Sequence, residues 1–378
     1  MKNIHIGKSS SLLLIAGVVA IGITTPAAAQ NVEDLKTYTP FVLKAQGNFF
    51  VGGETNFSDD LNPSGVLPTQ GTQRINQMYV EYMIPQPGDK VAVVLVHGGN
   101  LSGKSYGTTP DGRMGWYEFF AREGHPVYVP DQVNRGRSGW DPTSTNDVWA
   151  ELIPPKSMSS WFKAAEEITW RSFRFGPTFG TPFPNTQFPV EFAAQFADTS
   201  VPDNTQPIIP HADNPTTTRL ADLATKLKGA VLLGHSQGGR MPLDAALLNP
   251  QWVKGAIATE PAGCRGANVD TAAFPNPDPV YSNQEIATLA QIPILVLFAD
   301  IQGNASWQTR IDDCRVLVNR LKAAGGNATL LSLPEIGIHG NTHMFMLDKN
   351  NLQVGSLVSK WIDENVQVDR QEREGEGR

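Results

Sequence analysis

Lys228–Leu243, KGAVLLGHSQGGRMPL, is the stretch from which the rest of the chain is read. Ala230–Leu233 is a short apolar run with the composition of a buried strand. Gly234-His235-Ser236-Gln237-Gly238 follows without a break. After it, Met241–Leu248 is rich in the Ala and Leu that favour a helix. A serine at the apex of a strand, a tight turn and a helix is a nucleophile elbow. Gly234 and Gly238 leave room for the cramped turn, which holds the serine in a strained conformation with its hydroxyl outward. The helix start is expected to leave the Gln237 backbone N–H free beside that hydroxyl.

The five-residue pattern alone is weak. With 35 glycines in 378 residues, G-x-S-x-G arises by chance in roughly one such chain in five. Gly103-Lys104-Ser105-Tyr106-Gly107 matches it too, but no strand runs into Ser105, and Thr108–Gly112 after it reads as loop. Context therefore selects Ser236.

Outward from the elbow, apolar runs alternate with helical stretches. Phe41–Leu43, Phe49–Val51 and Gln77–Ile84 read as early strands, and Val91–Val96 as a strand buried on both faces. The latter ends in His97-Gly98-Gly99-Asn100, a turn type that supplies oxyanion-binding N–H groups. Trp116–Glu123 is a short helix and Val127–Pro130 the next strand. The loop after it carries Arg135 and Arg137, which bind a substrate carboxylate or, more ordinarily, brace the loop. From Trp140 to about Thr216 the rhythm stops. Met158–Phe173, with Trp161, Ala164, Ile168 and Trp170 near one face, and Val190–Phe196 suit helices; Gly176–Pro189 and Thr199–Pro215 suit loops. The rhythm resumes with a helix at Thr217–Lys228 and strands at Gly255–Thr259, Ile294–Phe298 and Thr329–Leu333. Trp307–Ala323 and Asn351–Asn365 read as helices. Strands alternating with helices imply an α/β fold with a mostly parallel sheet. The expected organisation is a core over 30–140 and 217–367, a helical cap over 141–216, and a charged, disordered tail at 368–378.

Residues 1–29 have the form of a signal peptide: Lys2 and Lys8, an apolar run Leu12–Ile23, and a small-residue site ending at Ala29. The apolar run is too short to span a bilayer comfortably, so an exported protein without stable membrane insertion is expected. Net charge is −7 and no Lys/Arg cluster stands out, which argues against nucleic acid as a partner. Cys264 and Cys314 are too few for a metal site, and export permits them to form a disulfide. No metal or organic cofactor is implied.

A serine hydroxyl needs a base, and the base a carboxylate, both downstream of the serine in an α/β-hydrolase. His339 and His343 both follow the last strand, and spacing does not choose between them. Asp300 follows the strand at 294–298, the commoner place for the acid; Glu260 follows the strand just after the elbow. Order alone leans to Asp300.

The chain resembles a family of secreted bacterial α/β-hydrolase esterases with a Ser–Glu–His triad. The resemblance is carried by GNFFVGG (47–53), QMYVEY (77–82), TTPDGRMGW (108–116), RFGP (174–177), TQFPV (186–190), His235–Gln237, Glu260-Pro261, Ala323–Gly326, HGNTHM (339–344) and NNLQV (350–354). It implies Ser236 as nucleophile, Glu260 as acid, His343 as base, and Gly99 and Gln237 as oxyanion donors. Cys264 and Cys314 also match family cysteines. The departure is Gly99-Asn100, where the family's type member has two adjacent, disulfide-bonded cysteines. The expected function is hydrolysis of a small or medium-sized carboxylic ester through an acyl-enzyme. The alternatives are an amidase, thioesterase or lactonase on the same triad, or a non-catalytic binding protein. The partner is a small-molecule ester, with a homodimer as one option for assembly.

Overall fold

A long hairpin opens the fold: Leu43–Ser58 (β1) pairs antiparallel with Gly71–Pro85 (β2). Both strands outrun the sequence expectation. One face of β1 is exposed, so Lys44, Gln46 and Asn48 interrupt its apolar run at every second position. The computed structural model describes residues 38–59, 70–158, 161–203, 214–267, 279–302 and 304–367. The expected signal peptide (1–29) and charged tail (368–378) lie outside the described residues.

Ala92–Val96 (β3), Trp116–Arg122 (α1) and Val127–Pro130 (β4) follow. A long insertion carries Thr143–Trp149 (α2), Glu166–Ser172 (α3) and Ala193–Asp198 (α4). Pro215–Lys226 (α5), Ala230–His235 (β5), Met241–Leu248 (α6), Val253–Thr259 (β6) and Asn283–Leu289 (α7) come next. Ile294–Phe298 (β7), Ala305–Ala323 (α8), Ala328–Ser332 (β8) and Asn351–Asn365 (α9) complete the described elements. The sheet order is β1-β2-β4-β3-β5-β6-β7-β8, parallel from β4 to β8, with β1 and β2 antiparallel at one edge.

Alternation along the central strands feeds two cores. Val94 and Val96 face Leu220 and Leu223 of α5, Leu243 of α6 and Leu317 of α8. Val93 and Leu95 face Trp116 and Phe120 of α1 and Val358 and Ile362 of α9. The sheet is thus covered on both faces, which is why its strands read as unbroken apolar runs. Cys264 and Cys314 are bonded (S–S 2.04 Å) and fully buried, tying the segment after β6 to α8.

The insertion departs from expectation. Only Glu166–Ser172 of the helix expected over 158–173 forms. Pro155–Ser157 is a single 3-10 turn, and Phe162 leaves any helical path to bridge Asp203. Trp161 and Ile168 are 44% and 51% exposed while Trp170 is 5%, so the expected common face does not exist. Helix α2 buries no residue and so has no apolar stripe to read. Helix α7 is an element beyond those expected from the sequence, and its start is marked by a capping box, Ser282 with Glu285. Among the described residues, no helix is long and apolar enough to cross a membrane.

Candidate active site

Strand β5 ends at His235, and Ser236–Gly239 make a 3-10 turn that leads into α6. The Gln237 N–H therefore belongs to this turn and not to the first turn of the helix. Ser236 sits at φ +56°, a conformation that costs a non-glycine residue free energy and that packing must enforce. The flanking glycines are obligatory: a Cβ on Gly234 would lie 2.1 Å from the Gly238 carbonyl oxygen, and one on Gly238 2.4 Å from that of His97.

Strand register explains the partner of this serine. His235 is paired with Thr259 across β5 and β6, so Ser236 and Glu260 leave neighbouring strands at the same level. The Glu260 backbone N–H donates to the Leu297 carbonyl of β7 (2.8 Å). Its side chain is fully buried and fully engaged. Oε1 accepts from the Ala299 N–H (2.6 Å), and Oε2 from an Arg174 guanidinium nitrogen (2.6 Å) and His343 Nδ1 (2.8 Å). On the far side of the ring, His343 Nε2 lies 2.9 Å from Ser236 Oγ. The Glu260 carboxylate only accepts, so Nδ1 carries the imidazole proton and Nε2 presents a lone pair to the serine hydroxyl. His235 Nε2 donates to the His343 carbonyl (2.8 Å), and the His343 N–H donates to the Phe173 carbonyl (3.0 Å). The rings of Phe173 and Trp307 pack on the imidazole at centroid distances of 4.9 and 4.7 Å.

The electrostatics follow from burial and pairing. Burial alone would raise the Glu260 carboxyl, but the Arg174 guanidinium and then His343 outweigh it and bring its pKa down to about 2. Burial pushes His343 down to about 4 against the opposing pull of Glu260. At neutral pH the group is therefore an ionised carboxylate beside a neutral imidazole, the state in which the imidazole can take a proton.

The other sequence candidates lie elsewhere. His339 is exposed, and its carbonyl accepts from Gln187 Nε2 (3.5 Å). The oxygens of Asp300 accept from the Gln302 N–H (3.0 Å) and the Gly340 N–H (3.3 Å) rather than from an imidazole. Ser105 is buried in a 3-10 turn with its hydroxyl donating to the Ser102 carbonyl (2.9 Å). Arg137 pairs with Asp131 (2.8 Å) and Glu81, and Arg135 with Asp203 (2.5 Å), so both brace their loop.

Gly99 and Gln237 line a cavity of about 300 Å³ together with Ser236 and His343. Its walls are mainly apolar, with Ile168 and Phe173 from the insertion and Trp307 from α8. A second cavity of about 380 Å³, which shares Asn100 and Phe173 with the first, is lined by none of Gly99, Ser236, Gln237 and His343. No group of three or more His, Cys, Asp or Glu able to hold a metal ion occurs among the described residues. Sequence reasoning missed Arg174, Trp307 and Asp203. Arg174 stood inside the RFGP stretch, which was a usable signal; Asp203, in a polar Pro-rich connection, offered none.

No family model matches the chain. A probable secreted lipase, phiG, of Fungal sp. (strain ATCC 74256) is 30% identical over 334 residues, covering 75% of this chain and 85% of the relative. The atomic-resolution structure of a bacterial esterase superposes with a TM-score of 0.80 at 40% identity, covering 88% of this chain and 99% of that one. Identity at this level over three quarters or more of each chain, on this sheet, makes the chain a member of the α/β-hydrolase family of esterases and lipases, a carboxylic-ester hydrolase.

Proposed function

We propose that the chain hydrolyses small or medium-sized, largely apolar carboxylic esters with Ser236 as nucleophile, His343 as base and Glu260 as the acid that orients it. The observation that supports this most is the pair of hydrogen bonds linking the three groups, 2.9 Å from serine to imidazole and 2.8 Å from imidazole to carboxylate. The Ser236 hydroxyl oxygen attacks the ester carbonyl carbon while its proton passes to His343 Nε2. The tetrahedral oxyanion is met by the backbone N–H groups of Gly99 and Gln237, each contributing on the order of 3 kcal/mol. Collapse expels the alcohol, which leaves with the proton from His343. Water then repeats the sequence on the acyl-enzyme, and His343 returns the proton to Ser236. Throughout, Glu260 keeps the imidazole in the required tautomer and stabilises its protonated form.

The apolar walls support an apolar acyl or alcohol group, and the cavity size supports a modest one. The insertion acts as a cap in this reading, a role supported by Ile168 and Phe173, which line the cavity that holds Ser236. Export is supported by the leader at 1–29 and by the description of the fungal relative as secreted. The test is a matched panel of ester, thioester and amide substrates offered to wild type and to Ser236→Ala. Turnover of the esters by wild type alone is expected. Amide or thioester turnover exceeding that of the ester would overturn the substrate class, and activity in the variant would overturn the nucleophile.

A further inference from the structure

The insertion is hydrogen-bonded to both residues that flank the site assigned to the oxyanion. Asn100 follows Gly99 and is held at φ +57°. Its Nδ2 donates to the Phe162 carbonyl (2.9 Å), and its Oδ1 accepts from the Ala164 N–H (2.9 Å). Its own carbonyl accepts from the Val201 N–H (3.0 Å). On the other flank, Gln237 Nε2 donates to Asp203 Oδ2 (3.0 Å). Asp203 is 4% exposed and pairs with Arg135, which is itself buried. The two insertion segments are joined to each other, because Phe162 and Asp203 exchange backbone bonds of 2.8 Å in both directions. A Cβ placed on Gly99 would lie 3.6 Å from Gln237 Cδ and 3.7 Å from Asp203 Oδ2, so these groups converge on the turn.

We propose that segments 162–164 and 201–203 of the insertion position the oxyanion hole, with the side chains of Asn100 and Gln237 as the tethers. The inference rests on the reading above, in which the N–H groups of Gly99 and Gln237 form that hole. Oxyanion donors work by being held in place before the charge develops. Gly99 has no side chain to hold it, and glycine backbone is the most permissive in the chain. Residue 100, its neighbour, supplies the missing constraint by bonding to the insertion on three atoms. Gln237 is fixed likewise, through a carboxylate whose charge would oppose an oxyanion if it were bare. Arg135 compensates that charge, so Asp203 can hold Gln237 without adding net negative charge beside the site. Asn100 and Gln237 side chains are positioning groups in this scheme; the donors themselves are backbone atoms that substitution leaves in place.

Two variants of the full chain each cut one tether. Asn100→Gly keeps the left-handed backbone accessible and removes both side-chain bonds. Gln237→Met keeps the backbone N–H and the side-chain bulk and removes the bond to Asp203. Each is expected to lower kcat about tenfold with KM within about twofold, the signature of an interaction made mainly in the transition state. The affinity of an alkyl trifluoromethyl ketone, which adds to the serine and carries the oxyanion, falls by the same factor. The affinity of the matching secondary alcohol, which carries no oxyanion, stays at the wild-type value. Complete labelling by a fluorophosphonate shows that the protein assayed is folded, and Gln237→Met carries the test should Asn100→Gly fail to fold. Wild-type kcat and ketone affinity in the variants overturn the inference. So does a parallel loss of ketone and alcohol affinity, which marks a change of pocket shape only. Ser236→Ala in the same assay is expected to lose turnover and tight ketone binding; if it keeps them, the underlying reading fails and this inference with it.

Discussion

Replacing Arg174 by methionine removes the positive charge that lies against the acid of the site and leaves the side-chain volume nearly unchanged. The guanidinium bonds Glu260 Oε2 at 2.6 Å and, through Nε, the Asp300 carbonyl at 2.9 Å, and it lies over the Trp307 ring. Arg174 and Glu260 are both buried, with side-chain exposures of 2% and 0%. With charge centres about 4 Å apart and an effective dielectric constant of about 20, the attraction is on the order of 4 kcal/mol. That corresponds to about three pH units on the Glu260 carboxyl. Its pKa, about 2 with the guanidinium in place, would then rise, because burial, which pushes the carboxyl up, is no longer outweighed. His343, which Arg174 also pushes down, moves up as well. A carboxyl held below its ordinary 4.5 stabilises the fold above that pH and loses this contribution as the pH falls toward about 2. Arg174→Met gives up most of that term at neutral pH and leaves a buried charge short of a partner, a loss of about 3–5 kcal/mol. The assay is kcat/KM for a neutral ester from about pH 4 to about pH 8, with thermal unfolding alongside. The acid limb of the variant should lie at higher pH than that of wild type, and Arg174→Lys, which keeps a charge there, should fall between them. An acid limb that stays in place or moves down, in a folded variant with wild-type kcat, would mean that Arg174 does not set the charge state of Glu260 and His343.

Three other outcomes follow from the same geometry. Because burial brings His343 to about 4, wild-type activity should persist at pH 5.5, where an unperturbed histidine (pKa about 6.5) would be mostly protonated; a kcat/KM midpoint near 6.5 would contradict this. Glu260→Gln should lower kcat by about 10³–10⁴-fold, as loss of the orienting acid does in other triads, whereas Asp300→Asn should stay within about fivefold of wild type because its neighbours are backbone N–H groups of loops; steady-state kinetics on both variants reverse the assignment if the losses are reversed. Breaking the Cys264–Cys314 bridge, which closes a separation of 50 residues, should cost about 4 kcal/mol in the chain-entropy picture; chemical denaturation of the double Cys→Ala variant that shows no loss would exclude a stabilising role.

Legibility from sequence followed burial. The central strands, buried on both faces, were read nearly to the residue: Val127–Pro130 and Ile294–Phe298 match, as do helices Met241–Leu248 and Asn351–Asn365. The edge hairpin was underread because its outer face is polar and breaks the apolar signal at Lys44, Gln46 and Asn48. The insertion was read worst. Its order comes from long-range bonds such as the Phe162–Asp203 bridge, and aromatic residues there are exposed as often as buried, so periodicity carried no information. At the site, Ser236 was legible from local spacing. Glu260 and Asp300 could not be separated by chain order, since both follow parallel strands; what places Glu260 beside the His343 ring is register, because His235 is level with Thr259 and Asp300 lies three residues past Leu297. His343 and His339 share one loop; what separates them is tertiary, since His343 is buried under Phe173 and Trp307 with its ring between Glu260 and Ser236, while His339 is exposed. Arg135 read as a substrate ligand or a brace, and its buried pairing with Asp203 makes it a brace.

Intact mass after reaction with a fluorophosphonate, on wild type and on Ser236→Ala, reads whether Ser236 is an activated nucleophile. One adduct on wild type and none on the variant is the predicted result. A well-folded wild type that takes up no adduct, or a variant that still takes one, would mean that Ser236 is not the activated serine.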